Sequence, residues 1–530
     1  MTDPTPLVGR HRIDGRPVRA GTPSFAAIDP RHGTAMEPRF ADATAHEIDA
    51  ACTLAEAAAQ PFAAAGREVR AAFLESVAAR IEALGDALLQ RAHAETALPL
   101  ARLTNERGRT CGQLRRFAQV VRDGAWLDAR IDHGDPARTP LPKPDLRSMN
   151  VPLGPVAVFG ASNFPLAFSV AGGDTAAAFA AGCPVVCKAH PAHPGTSELV
   201  GHAIVEALAE HDLPPGAFAL LFGADHRVGQ DLAAHRSLRA IAFTGSFAGG
   251  KALVEAAARR PTPIPVFAEM GSTNPVFVLQ QRLARDGATI AKSLSASVTL
   301  GVGQFCTNPG LVVLPRGAAA EDFLAMLARE LAATPEGTLL HAGIRSGYER
   351  RLGELRAVPG LRALVDAGAA SGVCGARSAL FAVDARTWLA TPTLHEEVFG
   401  PATLAVLCDD AAQVLALARA LPGQLSITIL GDDADRDLLD ALPPILVQKT
   451  GRILFAGMPT GVEVNDAIQH GGPWPATSDA RGTSVGTRAI ARFLRPVAWQ
   501  DCPAARLPDE LRDAGPPGVP RLVDGRRVVS

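Results

Sequence analysis

The stretch Pro155-Val156-Ala157-Val158-Phe159-Gly160-Ala161-Ser162-Asn163 is a short apolar run that ends in a loop of small and polar residues. A run of this length, bounded by proline and glycine, is typical of a buried β-strand. Ala-rich helical sequence follows from about Ala167. A strand that leads into a helix indicates one unit of a parallel sheet with helices on both faces.

The same alternation continues along the chain. Further apolar runs at 184–188, 219–222, 238–243 and 265–268 are separated by helical stretches such as 197–211. A second alternating region, from about 287 to 472, contains strand-like runs at 311–314, 403–407 and 426–430. We therefore predict an α/β fold with two parallel sheets, the first of which has the texture of a nucleotide-binding layer.

The flanking regions differ from these two. Residues 49–124 have apolar side chains at helical spacing and predict an all-helical approach to the core. Four prolines break the pattern between 125 and 150, which indicates an extended arm. Residues 490–499 return to strand-like texture, and residues 503–530 predict a surface tail.

Composition excludes several classes of protein. The 530 residues are 47% hydrophobic and 20% charged, with a formal net charge of -2, which gives no reason to expect nucleic acid or an anionic membrane as partner. No apolar run approaches the roughly 18 residues of a membrane span, and no secretory signal is visible, so we expect a cytoplasmic protein. The 8 cysteines are scattered, which fits a reducing compartment, and the close pair Cys183 and Cys187 flanks a strand, so no metal site is predicted.

Three side chains suggest the chemistry. Cys306 lies among glycines and polar residues in Gly303-Gln304-Phe305-Cys306-Thr307-Asn308, Glu269 ends the apolar run 266–268, and Asn163 ends the first loop. A nucleophilic sulfur, a separate carboxylate and an amide donor are the parts needed to oxidise an aldehyde through a covalent thioester.

A cofactor site is indicated by a strand that turns into a helix at Thr244-Gly245-Ser246. The free N–H groups at such a helix start attract a pyrophosphate. The usual G-x-G-x-x-G pattern does not follow Phe159, and the near match at 301–306 ends in cysteine. Lys188 closes another strand at the edge where parallel sheets bind ligands.

With these parts in order, the chain resembles the aldehyde dehydrogenase superfamily from about residue 30 to about residue 502. Six motifs carry the resemblance: Gly160-Ala161-Ser162-Asn163-Phe164-Pro165, Cys187-Lys188, Phe243-Thr244-Gly245-Ser246, Glu269-Met270-Gly271, Gly303-Gln304-Phe305-Cys306 and Glu396-Glu397-Val398-Phe399-Gly400-Pro401. The resemblance implies a Rossmann-type cofactor domain, a second α/β catalytic domain and a small β oligomerisation arm.

On this resemblance the domains divide as follows. The cofactor-binding domain comprises 1–124 and 151–280, the catalytic domain 281–475, the arm 125–150 and 485–502, and the C-terminal tail 503–530. Relatives join subunits through the arm segments, so a homodimer or a tetramer built from dimers is expected.

The resemblance also implies catalytic roles. Cys306 would be the nucleophile, its pKa lowered by nearby donors or positive charge, including the nicotinamide ring of the cofactor. Asn163 would stabilise the alkoxide together with the backbone N–H of Cys306. Glu269 would deprotonate the water that hydrolyses the thioester.

For the cofactor, NAD or NADP, the resemblance implies that Glu397 binds the ribose beside the nicotinamide, that Phe399 packs against the cofactor, and that Gly271 lines its site. Lys188 would reach the adenosine ribose or its phosphate. NAD-preferring relatives commonly carry Glu three residues later, where this chain has Pro191. A 2′-phosphate would then meet no like charge, and the side chains that could neutralise it are His190, His226 and Arg227. NADP is therefore expected to be accepted, and its preference over NAD is left open.

The stretches 188–197, 271–275, 459–464 and 470–478 most resemble the 2-oxoglutarate semialdehyde (2,5-dioxovalerate) dehydrogenase branch. That substrate ends in a carboxylate, so an arginine should line its tunnel. The candidates for substrate binding are Phe164, Arg109, Gln113 and Arg116.

Other functions remain open on the sequence alone. They are a broad-specificity aliphatic aldehyde dehydrogenase, a CoA-acylating dehydrogenase, a cysteine acyltransferase or hydrolase, and a non-catalytic protein on the same fold. A thiol hydrolase needs a histidine base, and none of the six motifs contains histidine. Glu269 favours hydrolysis of the thioester over CoA acylation.

Overall fold

A computed structural model describes residues 7–529 of the chain. The first six residues of the predicted domain 1–124, and Ser530 of the predicted tail, lie outside the described residues. No helix within 7–529 combines the length and the apolar character needed to cross a membrane.

Fourteen α-helices lie in the described part of the chain. They are α1 Ala45–Ala64, α2 Arg67–Ala83, α3 Gly85–Thr96, α4 Leu100–Asp123, α5 Gly173–Ala181, α6 Pro194–Glu210, α7 His226–Ala234, α8 Phe247–Ala258, α9 Gln280–Thr299, α10 Ala318–Ala333, α11 Ala342–Arg356, α12 Ala385–Ala390, α13 Ala411–Ala420 and α14 Arg436–Leu446.

The strands of the described residues form three larger sheets and two small ones. They are β1 His11–Ile13, β2 Arg16–Val18, β3 Phe25–Asp29, β4 Thr34–Phe40, β5 Ala129–Asp132, β6 Leu146–Pro152, β7 Val156–Phe159, β8 Val185–Lys188, β9 Phe218–Leu221, β10 Ala240–Thr244, β11 Val266–Glu269, β12 Val276–Val278, β13 Leu311–Pro315, β14 Gly337–Thr338, β15 Arg362–Val365, β16 Gly375–Ala376, β17 Ala379–Asp384, β18 Ala402–Cys408, β19 Gln424–Leu430, β20 Thr450–Leu454, β21 Leu494–Gln500, β22 Pro520–Val523 and β23 Arg526–Val529.

The first sheet has the order β11-β10-β7-β8-β9-β1-β2. Its strands β7 to β11 are parallel, and β1 joins β9 in the antiparallel direction. Val156 and Val158 point into one hydrophobic cluster, whereas Ala157 and Phe159 point into another. Burial of both faces explains why these strands are continuous apolar runs in the sequence.

The second sheet has the order β15-β17-β18-β13-β12-β19-β20, and all of its strands but β15 are parallel. Val312 and Leu314 pack on one face, and Leu311 and Val313 on the other. The predicted α/β fold class is thus confirmed.

One predicted domain boundary is corrected by this sheet. A division between 280 and 281 leaves β12 with the first sheet, but β12 pairs with β13 and β19 of the second. The chain therefore crosses between the sheets after β11, within the short segment 270–275. The division of the chain into functional domains stays a prediction.

The third sheet, which we call the arm sheet, has the order β21-β6-β5-β22-β23. Its strands β5, β6 and β21 come from the segments that the prolines and strand-like texture indicated. The prediction of a surface tail at 503–530 is wrong in part, because β22 pairs with β5 and β23 pairs with β22. The tail supplies backbone partners to β5, whose edge would otherwise be open.

The helix predicted from about Ala167 begins later, at Gly173. The carboxylate of Glu106 on α4 accepts hydrogen bonds from the backbone N–H groups of Leu166 and Ala167, at 2.8 and 3.0 Å. These bonds satisfy donors that a helix would leave free at its start, and they hold the chain in turns after Asn163. The turns place Asn163 and Phe164 beside the loop that contains Cys306.

A left-handed turn precedes Cys306. Gly301, Val302 and Gly303 have φ values of 57°, 60° and 68°, a region that β-branched residues such as valine rarely adopt. A Cβ on Gly303 would overlap the backbone of Gly400 and Pro401. The turn thus brings the loop of Cys306 against the start of β18, at the cost of local strain.

We expect Gly303→Ala to lower the free energy of unfolding by at least about 1 kcal/mol, because alanine is strained at positive φ and its methyl group would overlap the neighbouring backbone. Gly287→Ala is the matched control, since Gly287 lies inside α9 and an added Cβ would meet nothing closer than 3.7 Å. That control should stabilise α9 by about 0.5–1 kcal/mol. Thermal unfolding compares the two variants, and a Gly303→Ala protein as stable as the wild type would contradict the strained turn.

Candidate functional site

The predicted site residues converge at the carboxyl edge of the first sheet. Lys188, Thr244 and Glu269 are the last residues of β8, β10 and β11. Asn163 follows β7 in the next loop. Because these strands are parallel and adjacent, their carboxyl ends open onto one crevice, where ligands bind in sheets of this kind.

Cys306 reaches this crevice from the second half of the chain. Its loop lies between α9 and β13, and the side-chain amide of Asn274 donates to the carbonyl of Cys306 at 2.9 Å. The Sγ atom lies 3.4 Å from Nε2 of His470. Burial, together with the negative charges of Glu269 and Glu397, raises the pKa of the Cys306 thiol well above its usual value. The protein groups alone therefore oppose a lowered pKa, and the lowering expected from the nicotinamide ring of a bound cofactor stays a prediction.

Glu269 is buried, with 3% of its surface exposed. The hydroxyl of Ser484 donates to Oε2, and Nε2 of His470 lies 2.9 Å from Oε1. Burial raises the pKa of Glu269, but the charge of His470 and the hydrogen bonds outweigh it, so the pKa lies below its usual value. The carboxylate is therefore ionised at neutral pH and can accept a proton.

Asn163 is also buried, at 8% exposure. Its side-chain Nδ2 donates to the backbone carbonyl of Gln304 at 3.1 Å. The backbone carbonyl of Asn163 accepts from the guanidinium of Arg102 at 2.7 Å. Gln304 is two residues before Cys306 in the same loop. The structure thus brings the predicted amide donor to the loop of the predicted nucleophile.

His470 is the side chain that sequence reasoning missed. The stretch 470–478 carries part of the family resemblance, but nothing in the local sequence shows that it lies beside Cys306 in the fold. The structure contradicts the argument that a thiol base is lacking, since His470 contacts both Cys306 and Glu269. The ligand atoms of these three residues lie within 4.8 Å of one another. We assign no metal there, because a metal would occupy the sulfur that must attack.

Arg109, a predicted substrate residue, lies near Cys306 and Glu269. It is largely buried, donates to the carbonyl of Val462 and stacks over Phe168 at 5.8 Å. Its Nε has no hydrogen-bond partner among residues 7–529, and its charge acts on both Cys306 and Glu269. The guanidinium of Arg109 is therefore a positive charge at the crevice, and its Nε–H is available to donate to a ligand.

The other predicted substrate residues differ in position. Phe164 packs edge-on against Phe305 at 5.3 Å, which makes it a wall of the site. Gln113 is buried with its Nε2 unpartnered, against Gly173. Arg116 is a correction, because it pairs with Asp466 at the surface, where 41% of its side chain is exposed.

Arg452 is a second cation that sequence reasoning missed. It is the third residue of β20 and donates to the carbonyls of Gly461 and Pro459. The charge of Cys306, when ionised, acts on it, and its Nε has no partner. Two guanidinium groups thus face the site of the sulfur.

The crevice fits the dinucleotide that the motifs imply. The buried hydroxyl of Thr244 has no hydrogen-bond partner in the described part of the chain. Ser246 caps α8 by accepting from the N–H of Gly249 at 3.2 Å, and the other N–H groups of the first turn remain without helix partners. These donors, with Gly245 between them, suit a pyrophosphate at the start of the 12-residue helix.

Glu397 lies against Gly271 in the loop before β18, with Phe399 two residues further on. A Cβ at position 271 would overlap Oε2 of Glu397, so the glycine leaves room for the carboxylate in this position. Burial raises the pKa of Glu397 to about 8. A buried carboxyl without a cation suits a ligand that brings hydroxyl donors, such as a ribose.

The end of the crevice at Lys188 contains charges of both signs. Burial lowers the pKa of Lys188 to about 8, although the carboxylates of Asp42 and Asp225 favour its charged form. Asp42 and Asp225 therefore bring negative charge near the lysine that is predicted to reach a 2′-phosphate. Arg227 is half exposed and donates to Asp231 at 3.2 Å and to the carbonyl of Ala43 at 3.1 Å.

His190 is not suited to neutralise a phosphate, which corrects that expectation. Its ring lies 5.6 Å from the ring of His193 and 5.8 Å from that of His341. Burial and the neighbouring positive charges lower its pKa well below the usual value. His190 is therefore neutral at physiological pH.

Comparison with known proteins identifies the family. A family model described as "Aldehyde dehydrogenase family" matches residues 18–439. The chain is 51% identical over 521 residues to alpha-ketoglutaric semialdehyde dehydrogenase 2 of Azospirillum brasilense, covering 98% of this chain and 99% of the relative. It is 44% identical over 518 residues to alpha-ketoglutaric semialdehyde dehydrogenase of Acinetobacter baylyi, covering 98% of each.

Solved structures share the fold. A 3,6-anhydro-L-galactose dehydrogenase in complex with NAP superposes with a TM-score of 0.77 at 20% identity, covering 93% of this chain and 99% of that one. Aldehyde dehydrogenase C of Pseudomonas syringae, complexed with NAD+ and octanal, gives a TM-score of 0.77 at 21% identity, covering 93% and 96%.

Glu397→Gln should stabilise the cofactor-free protein increasingly as pH rises. The pKa of this carboxyl is higher in the folded protein than in the unfolded chain. Its ionisation therefore does not affect the free energy of unfolding below about pH 4.5 and lowers it progressively from there to about pH 8. Glutamine does not titrate, so the melting temperature of the variant minus that of the wild type should increase from pH 5 to pH 8.5. A difference that is constant across this range would contradict the raised pKa.

Proposed function

The chain belongs to the aldehyde dehydrogenase family, and on that premise we propose that its substrate is 2-oxoglutarate semialdehyde (2,5-dioxopentanoate), which it oxidises to 2-oxoglutarate. The observation that carries the reaction type is the convergence of Cys306, Asn163 and Glu269 in one crevice. The substrate is supported by the two relatives of that name, each matched over nearly its whole length.

Acylation is assigned to Cys306 and Asn163. The thiolate of Cys306 adds to the aldehyde carbon, and the amide of Asn163 donates to the oxygen on which negative charge develops. One such donor contributes about 2.7–4 kcal/mol to lowering the barrier. NAD or NADP, when bound, supplies the hydride acceptor through which the cysteine adduct is oxidised to a thioester.

Deacylation is assigned to Glu269. Its ionised carboxylate takes a proton from water, and the hydroxide adds to the thioester carbon as the Cys306 sulfur leaves. The hydrogen bond from Ser484 orients the carboxylate for this step. Hydrolysis rather than transfer to a thiol such as CoA follows from a carboxylate base at this position.

The far carboxylate of the substrate is assigned to Arg109, with Arg452 as a second cation. Both are mostly buried, both have a free Nε, and the charge of each interacts with Cys306. A guanidinium binds a carboxylate through paired donors in a fixed plane. Phe164 and Phe305 supply the apolar wall along the intervening carbons.

The cofactor is NAD or NADP, as in the family. For NADP, we assign the 2′-phosphate to Lys188 and Arg227, and Asp42 and Asp225 oppose it. The preference for NADP over NAD therefore depends on whether Arg227 leaves its ion pair with Asp231 and binds the 2′-phosphate. A homodimer or a tetramer of dimers, built through the arm sheet, and a cytoplasmic location stay predictions.

The assay that tests this function follows the nicotinamide absorbance with 2,5-dioxopentanoate and either NADP or NAD. Turnover of this substrate should exceed that of butanal or pentanal of equal concentration, because those aldehydes lack the carboxylate. Equal turnover of all three would favour a broad-specificity aliphatic aldehyde dehydrogenase, and no reduction with any aldehyde would refute the reaction.

In the same assay, Glu269→Gln should release about one equivalent of reduced cofactor per site and then stall, because acylation proceeds and the thioester is not hydrolysed. Stopped-flow absorbance resolves the two phases, and mass spectrometry of the stalled protein should find the acyl group on Cys306. Steady turnover at the wild-type rate would show that another base activates water.

Arg109→Met should raise KM for 2,5-dioxopentanoate by about tenfold or more and leave KM for pentanal within about twofold, since a charge-assisted hydrogen bond contributes about 1.5–3 kcal/mol. Arg116→Met is the matched control on the same helix, and its loss of the surface pair with Asp466 should change neither value. If Arg109→Met weakens both aldehydes equally, the residue shapes the site and does not bind the carboxylate.

A further inference from the structure

The contact between His470 and Cys306 joins residues from distant parts of the chain. Cys306 lies before β13, Glu269 ends β11, and His470 lies in the long segment between β20 and β21. Nε2 of His470 is 3.4 Å from Sγ of Cys306 and 2.9 Å from Oε1 of Glu269. A single nitrogen thus faces both the nucleophile and the carboxylate.

Nε2 of His470 is better aligned for a hydrogen bond with the sulfur of Cys306 than with Oε1 of Glu269. The contact to Cys306 has the alignment of a hydrogen bond, whereas Oε1 of Glu269 has no well-aligned donor despite its short distance to Nε2. Glu269 therefore acts on His470 mainly as a nearby negative charge.

The ring of His470 is held in place from several sides. Only 2% of the residue is exposed, and the ring packs 6.4 Å from that of Phe168. Its backbone N–H donates to Thr483 at 2.9 Å, and its carbonyl accepts from the N–H of Ser484 at 2.9 Å. A fixed ring loses little freedom when it exchanges a proton with the sulfur.

The sulfur needs a proton acceptor within reach. Burial beside two carboxylates favours its thiol form, which is a poor nucleophile. The nearby cations Arg109 and Arg452 have no lone pair to accept a proton. Two bases lie beside the sulfur, the imidazole of His470 and the carboxylate of Glu269. Because Glu269 is assigned to the later water step, we assign the thiol proton to the imidazole.

We propose that His470 is a catalytic residue that takes the proton of the Cys306 thiol before attack and returns it when the sulfur leaves the thioester. The proton moves from Sγ to Nε2, and the sulfur–carbon bond then forms to the aldehyde. When hydroxide, made by proton transfer from water to Glu269, adds to the thioester, that bond breaks and Nε2 protonates the departing sulfur. The full cycle rests on the proposed function, whereas the first proton transfer needs neither substrate nor cofactor.

Several charged groups surround the proton that Cys306 and His470 would exchange. Glu269 and Glu397 disfavour the thiolate, and Arg109 and Arg452 favour it. Asp174, which pairs with Arg492 at 2.6 Å, adds a further interaction with Glu269. These groups are the same in the wild type and in a His470 variant, so a difference between the two proteins reports on the imidazole.

The test is the rate of alkylation of Cys306 by iodoacetamide from pH 5 to pH 10, without aldehyde or dinucleotide. Peptide mass spectrometry confines the readout to Cys306. His470→Gln keeps a polar side chain, and His470→Phe keeps a ring against Phe168, so one of them remains informative if the other fails to fold. Relative to the wild type, we expect at least tenfold slower alkylation at pH 7 and an inflection displaced upward by about one pH unit or more, a tenfold change per unit.

The matched control is His11→Gln. His11 forms another buried contact with a glutamate, Glu47, at 3.7 Å, far from Cys306 in the fold. Its alkylation profile should equal that of the wild type, with melting temperatures confirming that all variants are folded.

Three results would overturn the proposal. They are a profile of folded His470→Gln or His470→Phe that matches the wild type, an equal displacement in His11→Gln, and a displacement in Glu269→Gln that both His470 variants lack. The last result would assign the thiol proton to Glu269. Because alkylation requires no aldehyde, a failed dehydrogenase assay leaves this measurement intact, and the two conclusions can fail separately.

Discussion

The pairing of the edge strand β11 with the segment that follows β20 is the constraint on which the site depends. The N–H of Met270 donates to the carbonyl of Ala476 at 2.8 Å, and the N–H of Ser478 donates to that of Ala268 at 3.0 Å. This segment has little regular structure of its own, so these bonds fix its position. They place His470 and Ser484 against Glu269, and they also cover the open edge of the first sheet.

The parallel strands were predictable because both of their faces are buried. A strand such as β7 or β8 must be apolar at every position, and short apolar runs between helical stretches are visible in the sequence. The strands β1, β22 and β23 were not predictable. They are three or four residues long and contain arginine. β1 and β22 become strands because distant segments offer them unpaired backbone groups, and β23 then pairs with β22 as a hairpin.

The site could be predicted where the chemistry is local to a motif. Cys306 with its glycines, and Glu269 at the end of an apolar strand, carry their own signal. His470 and Arg452 do not, because their approach to Cys306 follows from how β11 and β20 bring the C-terminal segment across the crevice. Arg109 and Arg116 show the same limit. Their spacing on α4 suits either as a substrate ligand, but Asp466 retains Arg116 at the surface.

The ionisable groups of Glu397 and Lys188 explain why the crevice should bind a ligand that carries both hydroxyl groups and negative charge. Desolvation favours the neutral forms of Glu397 and Lys188, bringing the pKa of each to about 8 from opposite directions. Neither group has an oppositely charged partner in direct contact among the described residues, so each is costly to keep ionised in the free protein. A ligand that brings hydroxyl donors to Glu397 and negative charge to Lys188 would relieve both costs at once. Binding is then linked to loss of a proton at the glutamate and gain of one at the lysine. Because both pKa values are about 8, both groups are mostly protonated at pH 7, so binding there should release protons overall, and the two changes should offset each other only near pH 8.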